Sequence, residues 1–266
     1  MKELRLALKI IKTLTKDRIR YPARLLVDTV AIVARCVVLL LLYRYAFRFN
    51  GGVINGTTFA IAAWSMFLYF SFSAFRLRDI SRMIMSDVQS GNVETLFNKP
   101  VSYLAYRIWW QIGSGLYSYL VILSIGAILM VLLIGMPETM SVAIFWPTIL
   151  MVSIGGIALT LILYAIVGMA AFWIQDISPL FWLVDKFVMI LGGSYLPVAL
   201  FPNYMLKIAQ YSPFGATLFV THTVYESWQS DWLFLFGMQI FWLIALWLII
   251  YYIFTQARRK VSVNGG

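Results

Sequence analysis

Four ionisable residues interrupt apolar stretches of this 266-residue sequence, and they are the first candidates for chemistry. Asp28 and Arg35 lie seven residues apart, on one face of a helix two turns apart. Asp185 and Lys186 are adjacent within the apolar run 180–191. A charge at the centre of a membrane helix costs about 2.5–3.5 kcal/mol on insertion scales, so each must face protein, water or a counter-ion. Two readings stay open. The charges fix packing, with Asp28 near the interface and Arg35 paired within the bundle. Alternatively, Asp28, Arg35, Asp185 and Lys186 form the buried relay of an ion-coupled carrier.

Enzyme chemistry has less to draw on. His222 is the sole histidine, so no metal site of several histidines can be built. Glu226 and Asp231 lie close to it in sequence. The simpler reading is a surface hydrogen-bonding group; the sharper one is the centre of a membrane enzyme acting on lipid. No G-x-x-x-x-G-K-[ST] loop is present, so the chain has no phosphate cradle of the usual kind for ATP.

Composition says what must position these residues. Hydrophobic residues make up 62% of the chain and charged residues 12%, with mean hydropathy +0.84. That balance is far from a globular one and implies an all-α polytopic membrane protein. The net charge of +10 would suit nucleic acid in a soluble protein. Here most cations flank apolar runs, where they set orientation and meet lipid headgroups, so no nucleic-acid partner is expected. The lone Cys36 excludes an internal disulfide and reads as a small packing residue. No compact signal-peptide pattern is evident in the charged N-terminal stretch.

Residues 1–24 form the first unit. Leu4, Ala7, Leu8, Ile11 and Leu14 recur at helical spacing opposite Lys2, Arg5, Lys9, Lys12 and Lys16, which predicts an amphipathic helix over 1–20 at the membrane interface. Tyr21-Pro22 then turns the chain into the bilayer. Residues 25–260 hold six expected spans: 25–47, 57–75, 108–134, 142–172, one beginning at Leu180, and 232–254. Gly113, Ser114, Gly115 and Ser118 in the third, and Gly156, Thr160, Tyr164 and Gly168 in the fourth, suit close helix contact. The run 180–191 is too short to cross alone, so the fifth span is expected to continue through Gly192-Gly193, followed by short helices that dip back from outside. Eight cations precede Leu25, five lie in 76–107 and three follow the last span, which places both termini in the cytoplasm.

The loop 76–107 is the one long polar interior segment. A helix is expected to continue out of the second span and to break at Ser90-Gly91-Asn92. Val93, Leu96 and Phe97 then share one side of a short amphipathic stretch. The length and mixed charge of this loop favour a docking element for a partner over a surface linker.

At these residues the chain resembles the permease subunit of an ABC-2 type (type V) ABC exporter. The match rests on Asp87-Val88-Gln89-Ser90-Gly91-Asn92-Val93-Glu94-Thr95-Leu96 followed by Lys99-Pro100, and on Gly192-Gly193-Ser194-Tyr195-Leu196-Pro197 with Phe201-Pro202 and Tyr211-Ser212-Pro213-Phe214. It extends over nearly the whole chain through the order of spans, loop and outer segment. Ser194-Tyr195 is more polar than the family pattern, whereas Leu196 conforms. The resemblance implies a permease dimer, homomeric or heteromeric, with two separate ATP-binding subunits that carry ATP and Mg. It implies a coupling helix at Gly91, Asn92, Val93, Glu94, Thr95, Leu96 and Phe97. It further implies an outer gate at 192–214 containing Gly192, Gly193, Pro197, Pro202 and Pro213. The chain itself would be a plasma-membrane transport subunit without cofactor, surrounded by lipid and moving an amphipathic, lipid-linked or drug-like substrate.

Overall fold

The structure is a computed structural model and describes residues 2–20, 22–97 and 101–264, with the side chains of 2–4, 22–26, 28, 29 and 261–264 outside that description. It is nearly all helix. The order is α1 (Lys2–Arg20), α2 (Pro22–Phe49), a two-residue hairpin of β1 (Val53–Ile54) and β2 (Thr57–Thr58), α3 (Phe59–Ser73), α4 (Ile80–Gln89), α5 (Asn92–Phe97) and α6 (Tyr103–Ile134). Then come α7 (Phe145–Met169), α8 (Ser178–Leu191), α9 (Asn203–Tyr211), α10 (Pro213–Ala216) and α11 (Trp228–Asn264), with short 3₁₀ turns between several of them.

Five stretches are long and apolar enough to cross a membrane: Val30–Phe49, Phe59–Gln89, Tyr103–Ile134, Phe145–Phe172 and Trp228–Lys260. Their surroundings differ. The best apolar window of Phe59–Gln89 is 83% buried, whereas those of Val30–Phe49 and Tyr103–Ile134 are 11% buried. Residues 61–72 of α3 are all buried, which is what an all-round apolar helix at the centre of a bundle requires. The others present oily faces outward.

The expected fifth span differs. Its helix, α8, stops at Leu191 instead of running through the glycines. Fourteen residues at 1.5 Å each span about 21 Å, short of the roughly 30 Å hydrocarbon core. Gly193 adopts φ +86°, a left-handed conformation that leaves the helix, and a Cβ on Gly192 would lie 2.1 Å from Leu218. The chain leaves the helix at Gly193, and the Leu218 side chain beside residue 192 leaves room there only for glycine.

The second span also departs from expectation. The helix does not continue smoothly into the loop; it breaks between α3 and α4, where Arg76 takes φ +57° ahead of a 3₁₀ turn at Leu77–Asp79. Gln111 of α6 donates its side-chain N–H to the Arg76 carbonyl at 2.8 Å, and Arg76 Nε lies 3.0 Å from Asp79 Oδ2. The Gln111 bond gives the Arg76 carbonyl a partner at the break in the helix, and the Arg76–Asp79 pair spans the 3₁₀ turn. The break at Ser90-Gly91 falls where expected, with Gly91 at φ +71°.

The amphipathic α1 packs along α6: Ala7 is buried, and Ile11 meets Gly113. Part of its apolar stripe is thus taken by protein, while Arg5, Lys9, Lys12 and Lys16 are exposed. Gly115 of α6 is pressed against α3, where a Cβ would fall 2.0 Å from the Phe75 carbonyl oxygen. Gly168 of α7 similarly meets Ser81 at 2.9 Å. Gly115→Ala should therefore abolish the monodisperse peak of the detergent-purified protein. Gly237→Ala, where nothing lies within 4 Å of the added methyl, should leave it intact. Equal profiles for the two variants would refute the close α3–α6 approach.

Candidate functional site

Two buried carboxylates organise the cytoplasm-directed half of the expected topology. Asp87, in the last turns of α4, accepts from Tyr103 Oη at 2.7 Å and forms an ion pair with Arg107. Both members of that pair are well covered, at 13% and 8% side-chain exposure for Arg107 and Asp87. The pair pins the start of α6 to α4 across the loop. Asp185, in the middle of α8, accepts from Tyr164 Oη of α7 at 2.8 Å and from Arg78 Nη1 at 3.1 and 3.2 Å. Sequence reasoning named Asp185 but neither of these partners. Tyr164 read as part of a packing stripe and Arg78 as one of the loop's orienting cations.

Between these anchors sits α5. Val93 is buried; Leu96 and Phe97 are half-buried. The Phe97 ring stacks on Phe172 and meets Tyr103 and Phe254 edge-on, with centroids 5.3–6.2 Å away. Three separate elements therefore hold one side chain. Gly91, Asn92, Glu94 and Thr95 remain exposed on the other side, so the short helix presents a polar face with a fixed base. Lys99 and Pro100, which complete the quoted loop motif, lie outside the described residues.

The intramembrane charges divide in the same way. Arg35, Asp185 and Lys186 come together on one cavity of about 670 Å³ between α2 and α8, together with Arg78 and Arg82 from the loop. Arg35 is exposed on α2 instead of paired within the bundle as expected, and among the described residues no hydrogen bond or ion pair holds it. Lys186 is exposed, with its ammonium 5.3 Å from the Trp182 ring centre. The side chain of Asp28 lies outside the described residues, so only its place in α2 is given.

The segment 192–214 is held by packing and by caps. Gly192, Gly193 and Pro197 are buried, Pro202 is exposed and immediately precedes α9, and Pro213 opens α10 after Ser212, whose Oγ accepts from Gly215 N at 3.1 Å. Tyr43 of α2 donates its hydroxyl proton to the Tyr195 carbonyl at 2.5 Å, which ties this segment to the first membrane helix.

His222 is not on the surface. It is 4% exposed, in edge contact with Phe219 and tilted against Tyr225, and it borders a 230 Å³ pocket shared with Glu226 and Asp231. The surrounding hydroxyls explain how so polar a stretch is buried. Thr217, Thr221 and Thr223 each bond a backbone carbonyl three residues back, so they need no solvent. Burial lowers the His222 pKa to about 4, against the opposing pull of Asp231. Tyr225, on the same pocket, is pushed up by burial and stays a neutral donor and acceptor, meeting Ser65 Oγ at 3.0 Å and the Ala199 N–H at 2.7 Å. Among the described residues no group of three or more metal-ligating side chains occurs.

No protein-family model matches the chain, and no curated protein does so either. The functional reading therefore rests on geometry.

Two outcomes follow from these groups. Asp185→Asn should weaken the pair that joins Arg78 to α8 and lower the detergent melting temperature more than Asp79→Asn, because Asp185 is buried and Asp79 is only partly covered while their arginines are equally exposed. Breaking a buried pair costs about 3–5 kcal/mol, and the half-exposed Arg78 places this one toward the lower end. Equal melting shifts would contradict that ranking. For His222, a folded pKa below the unfolded one means that stability is full at neutral pH and declines as pH falls from about 6.5 towards 4. His222→Phe should flatten that part of the melting-temperature profile; an unchanged acid slope would assign it to other groups.

Proposed function

We propose that this chain is the membrane-spanning subunit of an ATP-driven exporter of the ABC-2 type, coupled to ATP-binding subunits on other polypeptides. The observation that carries the reading is α5. A six-residue helix on the long polar loop is rooted by Val93 and Phe97 in the ends of the bundle and turns Asn92, Glu94 and Thr95 outward. Such a helix suits the role of a rigid contact that receives force from a soluble partner. A linker has no need of a root in three elements.

In this reading both termini and the loop face the cytoplasm of a plasma-membrane protein. Two permeases, identical or related, meet two ATP-binding subunits, and ATP and Mg are bound by the latter. The α8 helix is the fifth of six membrane segments and stops part-way. The segment 192–214 forms the outer closure, with short helices where irregular backbone is sheltered by protein. Closure of the ATP-binding subunits presses on α5, and the permeases rock to open a path for an amphipathic, lipid-linked or drug-like substrate.

An ion-coupled carrier is the second reading, favoured by the meeting of Arg35, Asp185 and Lys186 on one cavity. It is weakened by the commitment of Asp185 to Arg78 and Tyr164, since a relay carboxylate must exchange its proton or ion freely. Affinity purification of the tagged chain from its native membrane separates the two. A stoichiometric ATPase subunit should co-purify with the unaltered chain and be lost with the exposed double substitution Glu94→Lys, Thr95→Arg, which leaves membrane insertion unchanged. Purification alone, with uptake driven by a proton gradient, would overturn the exporter reading.

A further inference from the structure

We infer that the cavity between α2 and α8 is a binding site for the phosphate group of an anionic amphiphile, which enters with its head among the cations and its tail along α2. The lining carries four cations, Arg35, Arg78, Arg82 and Lys186, against one carboxylate, Asp185. That carboxylate is already spent, because its two oxygens take Arg78 and the Tyr164 hydroxyl. Arg82 rests its guanidinium 4.5 Å from the Phe181 ring centre and Lys186 faces Trp182, so both are held by ring faces and keep their N–H donors for another acceptor.

Arg35 makes the strongest demand for an anion. It lies inside Val30–Phe49, the part of α2 long and apolar enough to cross a membrane, and its side chain is exposed there. A cation at that depth is expensive without a counter-charge. Among the described residues none supplies it. A phosphate group does so, two of its oxygens accepting from the guanidinium fork, and the cluster of guanidinium groups is the donor set that phosphate prefers. The rest of the wall is oily: Ala34, Val38 and Leu39 of α2 face Met189 of α8 across the cavity. A charged head beside a hydrocarbon wall selects a phosphate ester with an acyl or prenyl tail over a free ion. At about 670 Å³ the cavity has the size of a small-molecule site. The Tyr43–Tyr195 bond closes the end near the 192–214 segment, where Ser194 and Tyr195 complete the lining.

As recognition of cargo this inference rests on the exporter reading; as binding it needs only the chain itself, so the two can fail separately. The test uses the full chain, purified without its ATPase partner in a neutral maltoside detergent. Three probes are titrated: dioctanoyl phosphatidic acid, dioctanoyl phosphatidylcholine and inorganic phosphate. The phosphatidic acid should bind at least tenfold more tightly than the zwitterionic lipid. Its affinity should fall at least tenfold in Arg35→Gln and in Arg82→Gln, and stay unchanged in Arg48→Gln, a membrane-edge cation that is not part of the cavity lining. Displacement of the lipid by millimolar inorganic phosphate would assign the site to a free phosphate; resistance to it would assign a lipid headgroup. Equal binding of the two lipids would overturn the proposal. So would phosphatidic acid binding that survives both cavity substitutions in variants that elute as the unaltered protein does.

Discussion

The Asp185 carboxylate, shared by Arg78 and Tyr164, is the interaction on which the architecture turns. It lies on α8, a helix of fourteen residues that is too short to cross, and it joins that helix to α7 and to the start of the polar loop. A buried carboxyl group is tolerated only when it is hydrogen-bonded, and here both oxygens accept, three bonds in all. Removing the acid would leave the Arg78 guanidinium without its counter-charge and a buried tyrosine hydroxyl without its acceptor. Position, not strength, makes the group central. It sets where α8 stands, and α8 in turn forms one wall of the cationic cavity.

Asp87 repeats the device at the other end of the loop. Tyr103 and Arg107, one turn apart on α6, both reach it, so the return of the chain into the membrane is fixed by a side chain on the way out. Between the two acids the backbone breaks at Arg76, runs through α4 and breaks again at Gly91. The loop is long in sequence but short of freedom. Each corner is tied to the rest of the chain: Gln111 of α6 donates to the Arg76 carbonyl, Gln89 donates to the Gln175 carbonyl in the α7–α8 turn at 2.7 Å, and Phe97 wedges among Tyr103, Phe172 and Phe254.

Much of this was written plainly in the chain. Long apolar runs mark the five spanning helices, and Ser90-Gly91 with Val93, Leu96 and Phe97 marks α5 and its inward side. What escaped has physical causes. Arg78 and Asp185 stand 107 residues apart, and no periodicity links an ion pair across that distance. The end of α8 comes at Gly193 in a left-handed conformation, one residue after a glycine that Leu218 packs against, a contact set by tertiary packing. The burial of His222 was hidden because a lone histidine near Glu226 and Asp231 reads as a surface group, while the neighbouring threonine hydroxyls are satisfied by their own backbone and need no solvent. The helix break at Arg76 was missed because an arginine in a left-handed conformation has no sequence signature, unlike the glycine at 91.

The glycine contacts on either side of that break have a mechanical meaning. Gly115 brings the backbone of α6 against Phe75, and Gly168 brings that of α7 against Ser81, so the bent segment is gripped from two directions with no side chain between the main chains. A layer of flexible side chains acts as a spring, because rotamers can yield before the backbone does. Main chain pressed on main chain has almost no such compliance. The joint at 75–81 is therefore stiff: a load on α4 reaches α6 and α7 as displacement and loses little of its travel on the way.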